Sequence, residues 1–96
     1  MSRGPYSVYI MASRRNGTLY VVVTNDLARG VSEHRLGTAD GFTRKYGVKL
    51  LVWSESFIQI ADAIACEKRI KRWRRAWKLD LVERANPLWC DLSAGW

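Results

Sequence analysis

Seven basic residues fall in the stretch from Lys68 to Lys78: Lys68, Arg69, Lys71, Arg72, Arg74, Arg75 and Lys78. No acid interrupts them. The rest of the 96-residue chain holds nine bases and nine acids, so the formal charge of +7 resides in this one stretch. Basic residues clustered on one helix are the electrostatic footprint of phosphate contact; a solvated helix face is the competing reading. Glu67 stands directly before the run. On a helix it shares a side with Lys71, Arg74 and Lys78 and borders an apolar face through Ala63 and Ile70. A carboxylate facing a basic groove can hold a divalent cation beside a phosphate. The plain alternative is a Glu67–Lys71 pair at i,i+4, worth ~0.2–0.5 kcal/mol. Other groups with chemistry to offer are Tyr9 and Tyr20, the single histidine His34, and Asn86 before Pro87. Their plain readings are packing residues for the tyrosines, a solvated surface-helix residue for His34 and a turn starter for Asn86.

These side chains need a scaffold, and the pattern supplies one. Tyr6 to Ala12 and Leu19 to Thr24 are rich in β-branched and aromatic residues and read as strands. Asn16-Gly17 between them is a hairpin signal. A two-residue turn there would set Arg15 opposite Thr18 and Tyr9 opposite Thr24, with Tyr9 and Tyr20 on one side of the sheet. Asn25-Asp26 caps a short helix from Leu27 to Leu36 that ends at Gly37. A loop from Gly37 to Thr43 follows, then a third strand from Lys49 to Glu55. Ser56 and Gln59 form a capping-box pattern. The helix expected after it runs from Phe57 to about Leu79, with Ala63, Cys66, Ile70, Trp73 and Trp77 on one apolar face. Trp53, Trp73 and Trp77 are expected in the core. The tail from Asp80 carries one short helix before Asn86-Pro87. The reading is a single α+β domain over residues 1–96, a small antiparallel sheet packed against helices.

Composition excludes several classes. Apolar residues make up 48% of the chain, which argues against disorder. No apolar run approaches the ~18–20 residues of a membrane span. Two cysteines are too few for a disulfide scaffold or a zinc knuckle. A reduced, cytoplasmic protein with a polyanionic partner is expected.

In order and spacing, the chain resembles the GIY-YIG nuclease superfamily, in particular its small stand-alone bacterial members described as excinuclease-C-like or URI-domain proteins. Val8-Tyr9-Ile10 stands at the family's first motif and Tyr20-Val21-Val22 at its second. Asn16-Gly17-Thr18-Leu19-Tyr20, Val23-Thr24-Asn25-Asp26-Leu27 and Gly41-Phe42-Thr43 with Lys45-Tyr46 match the small subfamily. So do Glu67 with Ile70-Lys71 and Trp73, and Asn86-Pro87 with Trp89. The resemblance implies three antiparallel strands flanked by helices, and a DNA endonuclease using one divalent cation, Mg²⁺ or Mn²⁺. By the same resemblance, Glu67 would ligate the metal and Tyr20 would activate or orient the attacking water. Tyr9 would orient the site, His34 would assist proton transfer or bind phosphate, and Asn86 would support the metal side. Lys45, Lys68, Lys71, Arg72, Arg74, Arg75 and Lys78 are the expected nucleic-acid contacts.

Two positions depart from the pattern. Gly30 stands where the family's first helix carries a phosphate-clamping arginine, and Val22 replaces the glycine of the second motif. Arg29 is adjacent to Gly30, but one helical residue is a rotation of ~100°. Position 30, one turn before His34, faces the same way as the histidine; Arg29 is the candidate substitute. A missing cation at a transferring phosphoryl group commonly costs orders of magnitude in rate. A non-catalytic nucleic-acid-binding module on the same fold is therefore the runner-up, and a protein-interaction domain with an acidic partner the third reading.

Overall fold

The computed structural model describes residues 4–37 and 41–96. Its elements are strands β1 (Tyr6–Ala12), β2 (Leu19–Thr24) and β3 (Leu50–Phe57) with helices α1 (Leu27–Leu36), α2 (Gly41–Tyr46), α3 (Ile60–Arg72) and α4 (Arg75–Ala85). The strands form one antiparallel sheet in the order β2-β1-β3, the α+β architecture that the pattern implies.

β1 is the central strand, and its alternation divides the interior. Val8, Ile10 and Ala12 face α3 and α4 in a cluster with Val21, Val52, Trp53, Ala63, Cys66, Ile70, Val82 and Trp89. Tyr9 and Met11 face α1 with Val31, Val48 and Leu51. The register between β1 and β3 slips after Ile10, which pairs with Trp53 while Met11 pairs with Leu51. The extra residue, Val52, lets two consecutive β3 side chains serve the larger cluster.

The hairpin loop is longer than a two-residue turn. Ala12 pairs with Leu19, Ser13 N–H donates to Thr18 O, and Gly17 N–H donates to Arg14 O, with Asn16 at φ 57°. Tyr9 thus faces Val22 rather than Thr24, a slip of two residues. Because the side-chain period is also two, Tyr9 and Tyr20 remain on one face.

Helix α1 forms as its caps predict. The Asp26 carboxylate accepts from Arg29 N–H at 3.1 Å, and Gly37 closes the helix at φ 74°. Three expectations are corrected. Part of the expected 37–43 loop is helical from Gly41, and residues 38–40 lie outside the described residues. The Ser56–Gln59 capping box does not form: Ser56 belongs to β3, and Gln59 is the N-cap of α3 without a side-chain cap bond. The long helix is two helices, broken where Trp73 and Arg74 are extended (ψ 147° and 156°). The break resets the phase. Trp73 and Leu81 pack against the core and Val82 is fully buried, while Trp77 turns out and is 53% exposed. No glycine or proline marks this break; burial of α4 on the sheet overrides a helical periodicity that was locally self-consistent.

The C-terminal segment covers β3. Leu92 N–H donates to Leu51 O at 2.8 Å, and Leu51 N–H donates to the Asp91 carboxylate at 3.2 Å. Backbone groups on that outer edge are thereby occupied.

Candidate active site

Tyr9 and Tyr20 come from neighbouring strands on the α1 side, and α1 lays His34 against both. Tyr9 Oη lies 3.2 Å from His34 Nε2. The His34 ring stands edge-on to Tyr9 and Tyr20, with centroids at 5.8 and 5.5 Å. His34 is buried, not a solvated residue of a surface helix; its place one turn after Gly30 points it inward. Burial pushes the Tyr9 phenol up to about 12, with Glu33 and Tyr20 adding to the effect. Tyr9 therefore stays protonated near neutral pH.

Gly30 lies against this cluster. A Cβ built on it would sit 2.7 Å from Tyr9 Oη and 3.3 Å from the ring carbon bearing that hydroxyl. The glycine thus does more than remove a charge: its missing side chain is the space in which the Tyr9 hydroxyl sits. Arg29 is exposed, with its guanidinium donating to Asn25 Oδ1 at 3.3 Å.

Glu67 rises from α3, the helix on the other face of the sheet. Its Oε2 lies 2.9 Å from Lys71 Nζ, and its side chain is only 14% exposed. Among the described residues no three His, Cys, Asp or Glu side chains converge as a metal cage. One shielded carboxylate suits a hard cation that keeps waters and takes its remaining ligands from substrate phosphate, as Mg²⁺ does. The residues fit that kind of ion and not a closed, all-protein site.

Asn86, at the end of α4, is buried and fully engaged with main chain. Nδ2 donates to Val52 O and Cys90 O at 3.1 and 2.8 Å, and Oδ1 accepts from Cys90 N–H at 3.0 Å. Its position ties the tail to β3 and does not join the three rings.

The basic residues divide by what they touch. Lys68, Lys71, Arg72 and Arg74 are exposed and Lys78 is half-buried. Arg75 donates to Asn16 O and Gly17 O at 2.7 and 2.6 Å, so this cation also clasps the β1–β2 loop. Lys45 is exposed on α2, its ammonium 5.5 Å from the Tyr46 ring. Sequence reasoning gave no role to Glu33, whose charge reaches Tyr9, or to the outward face of Trp77. Adjacency to His34 could have flagged Glu33; Trp77 could not be found without the helix break.

The GIY-YIG catalytic-domain model matches residues 5–80. The chain belongs to the GIY-YIG family. It is similar to UPF0213 proteins of several organisms. One from Vibrio parahaemolyticus is 37% identical over 78 residues, covering 81% of this chain and 73% of the relative. Another from Aeromonas salmonicida is 29% identical, covering 97% and 67%. A third from Halobacterium salinarum is 36% identical, covering 76% and 94%. No solved structure gives a significant match. Membership makes the function of nuclease type, directed at nucleic acid, in a family that generally uses a divalent metal. Among the described residues no helix is long and apolar enough to cross a membrane.

Proposed function

We propose that this GIY-YIG chain is a cytoplasmic, metal-dependent endonuclease that hydrolyses phosphodiesters in DNA. The observation that carries the reading is the cluster of Tyr9, His34 and Tyr20, an imidazole that meets two phenols, with a strongly basic helix pair on the opposite face of the same sheet. The contact between the Tyr9 hydroxyl and Nε2 fixes the orientation of the imidazole ring. Tyr20, half-buried at the sheet's edge strand, is the phenol that faces incoming water. Glu67 is the carboxylate that would hold Mg²⁺ or Mn²⁺; such an ion, when bound, offsets charge developing on a phosphoryl oxygen. Lys68, Lys71, Arg72, Arg74 and Lys78 bind backbone phosphates, with Lys45 a further contact from α2. β2 packs on α3 and sets Tyr20 against His34 of α1, so a nucleic-acid strand lying along its edge meets Tyr20 on one side and α3 on the other.

One observation favours the second reading, a non-catalytic nucleic-acid-binding module. Position 30 brings no cation to the rings, and the Tyr9 hydroxyl fills the space a side chain would need. The test is cleavage of labelled duplex, branched and single-stranded DNA with Mg²⁺ or Mn²⁺, beside Glu67→Ala. The expected result is metal-dependent cleavage that falls by at least ~10²-fold in the variant. Equal traces in both proteins point to a contaminating nuclease or an inert site and overturn the metal role of Glu67; no cleavage in either while DNA is still bound establishes the binding module instead.

A further inference from the structure

We propose that the groove at the α3–α4 elbow is a stacking site for an unpaired nucleobase, an assignment that rests on the nucleic-acid reading above. The break at Trp73–Arg74 leaves an open groove of about 390 Å³ lined by Trp73, Trp77, Asp80, Leu81 and Arg84. Trp77 stands edge-on to Trp73, centroids 6.2 Å apart and planes at 80°, and the Arg74 guanidinium lies 5.0 Å over its ring. The indole is therefore held in place before any ligand arrives, which lowers the ordering cost of binding. A tryptophan that is 53% exposed is unremarkable alone. This one lies within a run of seven cations that no acid interrupts.

Charge decides which part of a nucleic acid the groove takes. Asp80 lines it, with its carboxylate 2.9 Å from Arg84 Nε. A carboxylate there disfavours phosphate, whereas the Asp80–Arg84 pair presents an acceptor and donors to the edge of a base. Phosphates on either side fall to Arg74, Lys71, Arg72 and Lys78. Aromatic stacking tolerates any base, because every base has a π-face. The elbow thus recognises that a base is unpaired, not which base it is.

The test reads binding without cleavage, by fluorescence anisotropy in EDTA. The probes are a short blunt DNA duplex, the same duplex with an unpaired tail, and the same tail built from abasic units. The native chain should bind the tailed duplex at least about fivefold more tightly than the blunt one, one stacked base being worth that much. The abasic tail should lose the preference. Trp77→Ala should lose it too, leaving blunt-duplex affinity within about twofold, and Trp77→Phe should keep most of it. Circular dichroism confirms the fold of each variant. The proposal is overturned if Trp77→Ala keeps the tail preference, if the abasic tail binds as well, if blunt and tailed affinities fall together, or if no DNA binds. Tail preference in a protein that never cleaves would sink the nuclease reading and leave the elbow standing; cleavage without tail preference would do the reverse.

Discussion

β1 sends Val8, Ile10 and Ala12 to one side and Tyr9 and Met11 to the other, and the two sides are built on different terms. Toward α3 and α4 the interior is a broad apolar cluster, and even Cys66 behaves as an apolar residue there, since burial pushes its thiol up. The outer surface of those helices carries the positive charge. Toward α1 the cluster is smaller and includes a phenol and an imidazole that must be hydrogen-bonded to be buried at all. The apolar side tolerates any side chain of the right shape; the polar side fixes orientation. Stability resides mainly in the first and the buried phenol and imidazole in the second, while Glu67, the candidate metal ligand, rises from α3 on the first side; one strand serves both.

The contrast can be broken most severely from the apolar side. Ile70→Ala, at a position 2% exposed, should cost about 2–5 kcal/mol in urea denaturation while leaving the His34 ring resonances in place. A comparable disturbance of those resonances would show that the two sides do not behave separately.

Next in size is the pH response of the polar side. Tyr9 ionises near 10 when unfolded and about 12 when folded. The unfolded chain then releases its proton first, so this contribution is fully present below pH 10 and falls as pH rises through 10–12, by roughly 2–3 kcal/mol. Urea midpoints at pH 9 and 11.5 should diverge less in Tyr9→Phe than in the native chain; identical slopes would remove the buried phenol from the account.

Gly30→Ala acts at about 1 kcal/mol in two opposing directions. Helix propensity favours alanine by about that amount, while the new Cβ forces the Tyr9 hydroxyl aside. The melting temperature should therefore change little, yet the ring signals of the single histidine should shift in an NMR spectrum. Unmoved signals would mean that Gly30 and Tyr9 are not coupled. The same geometry implies that Gly30→Arg adds a charge and displaces Tyr9 together.

The smallest effect belongs to the outer surface. Lys71→Ala removes a half-exposed partner of Glu67 and should cost only a few tenths of a kcal/mol in thermal melts. A loss of several kcal/mol would make this pair a structural ion pair and weaken the case for Glu67 as a cation ligand.

Much of the sheet was legible because its signals are local. Alternation in Tyr6 to Ala12 and the Asp26 and Gly37 caps of α1 act within a few residues. The side shared by Tyr9 and Tyr20 was legible despite a wrong turn length, since a slip of two preserves parity. The Ser56–Gln59 box failed because β3 continues through Phe57 to pair with Tyr6. The Trp73–Arg74 break was illegible because Ile70, Trp73 and Trp77 satisfy one helical stripe as well as two.

By itself, then, the sequence determined which residue types were available, where the charge lay and which segments alternate, since these follow from neighbours along the chain. Only the tertiary structure decided that His34 is buried against Tyr9, that Asn86 is spent on the main chain of Val52 and Cys90, and that Trp77 faces outward. Each of these turns on competition between distant segments for the same buried surface, and periodicity along one segment carries no information about that competition.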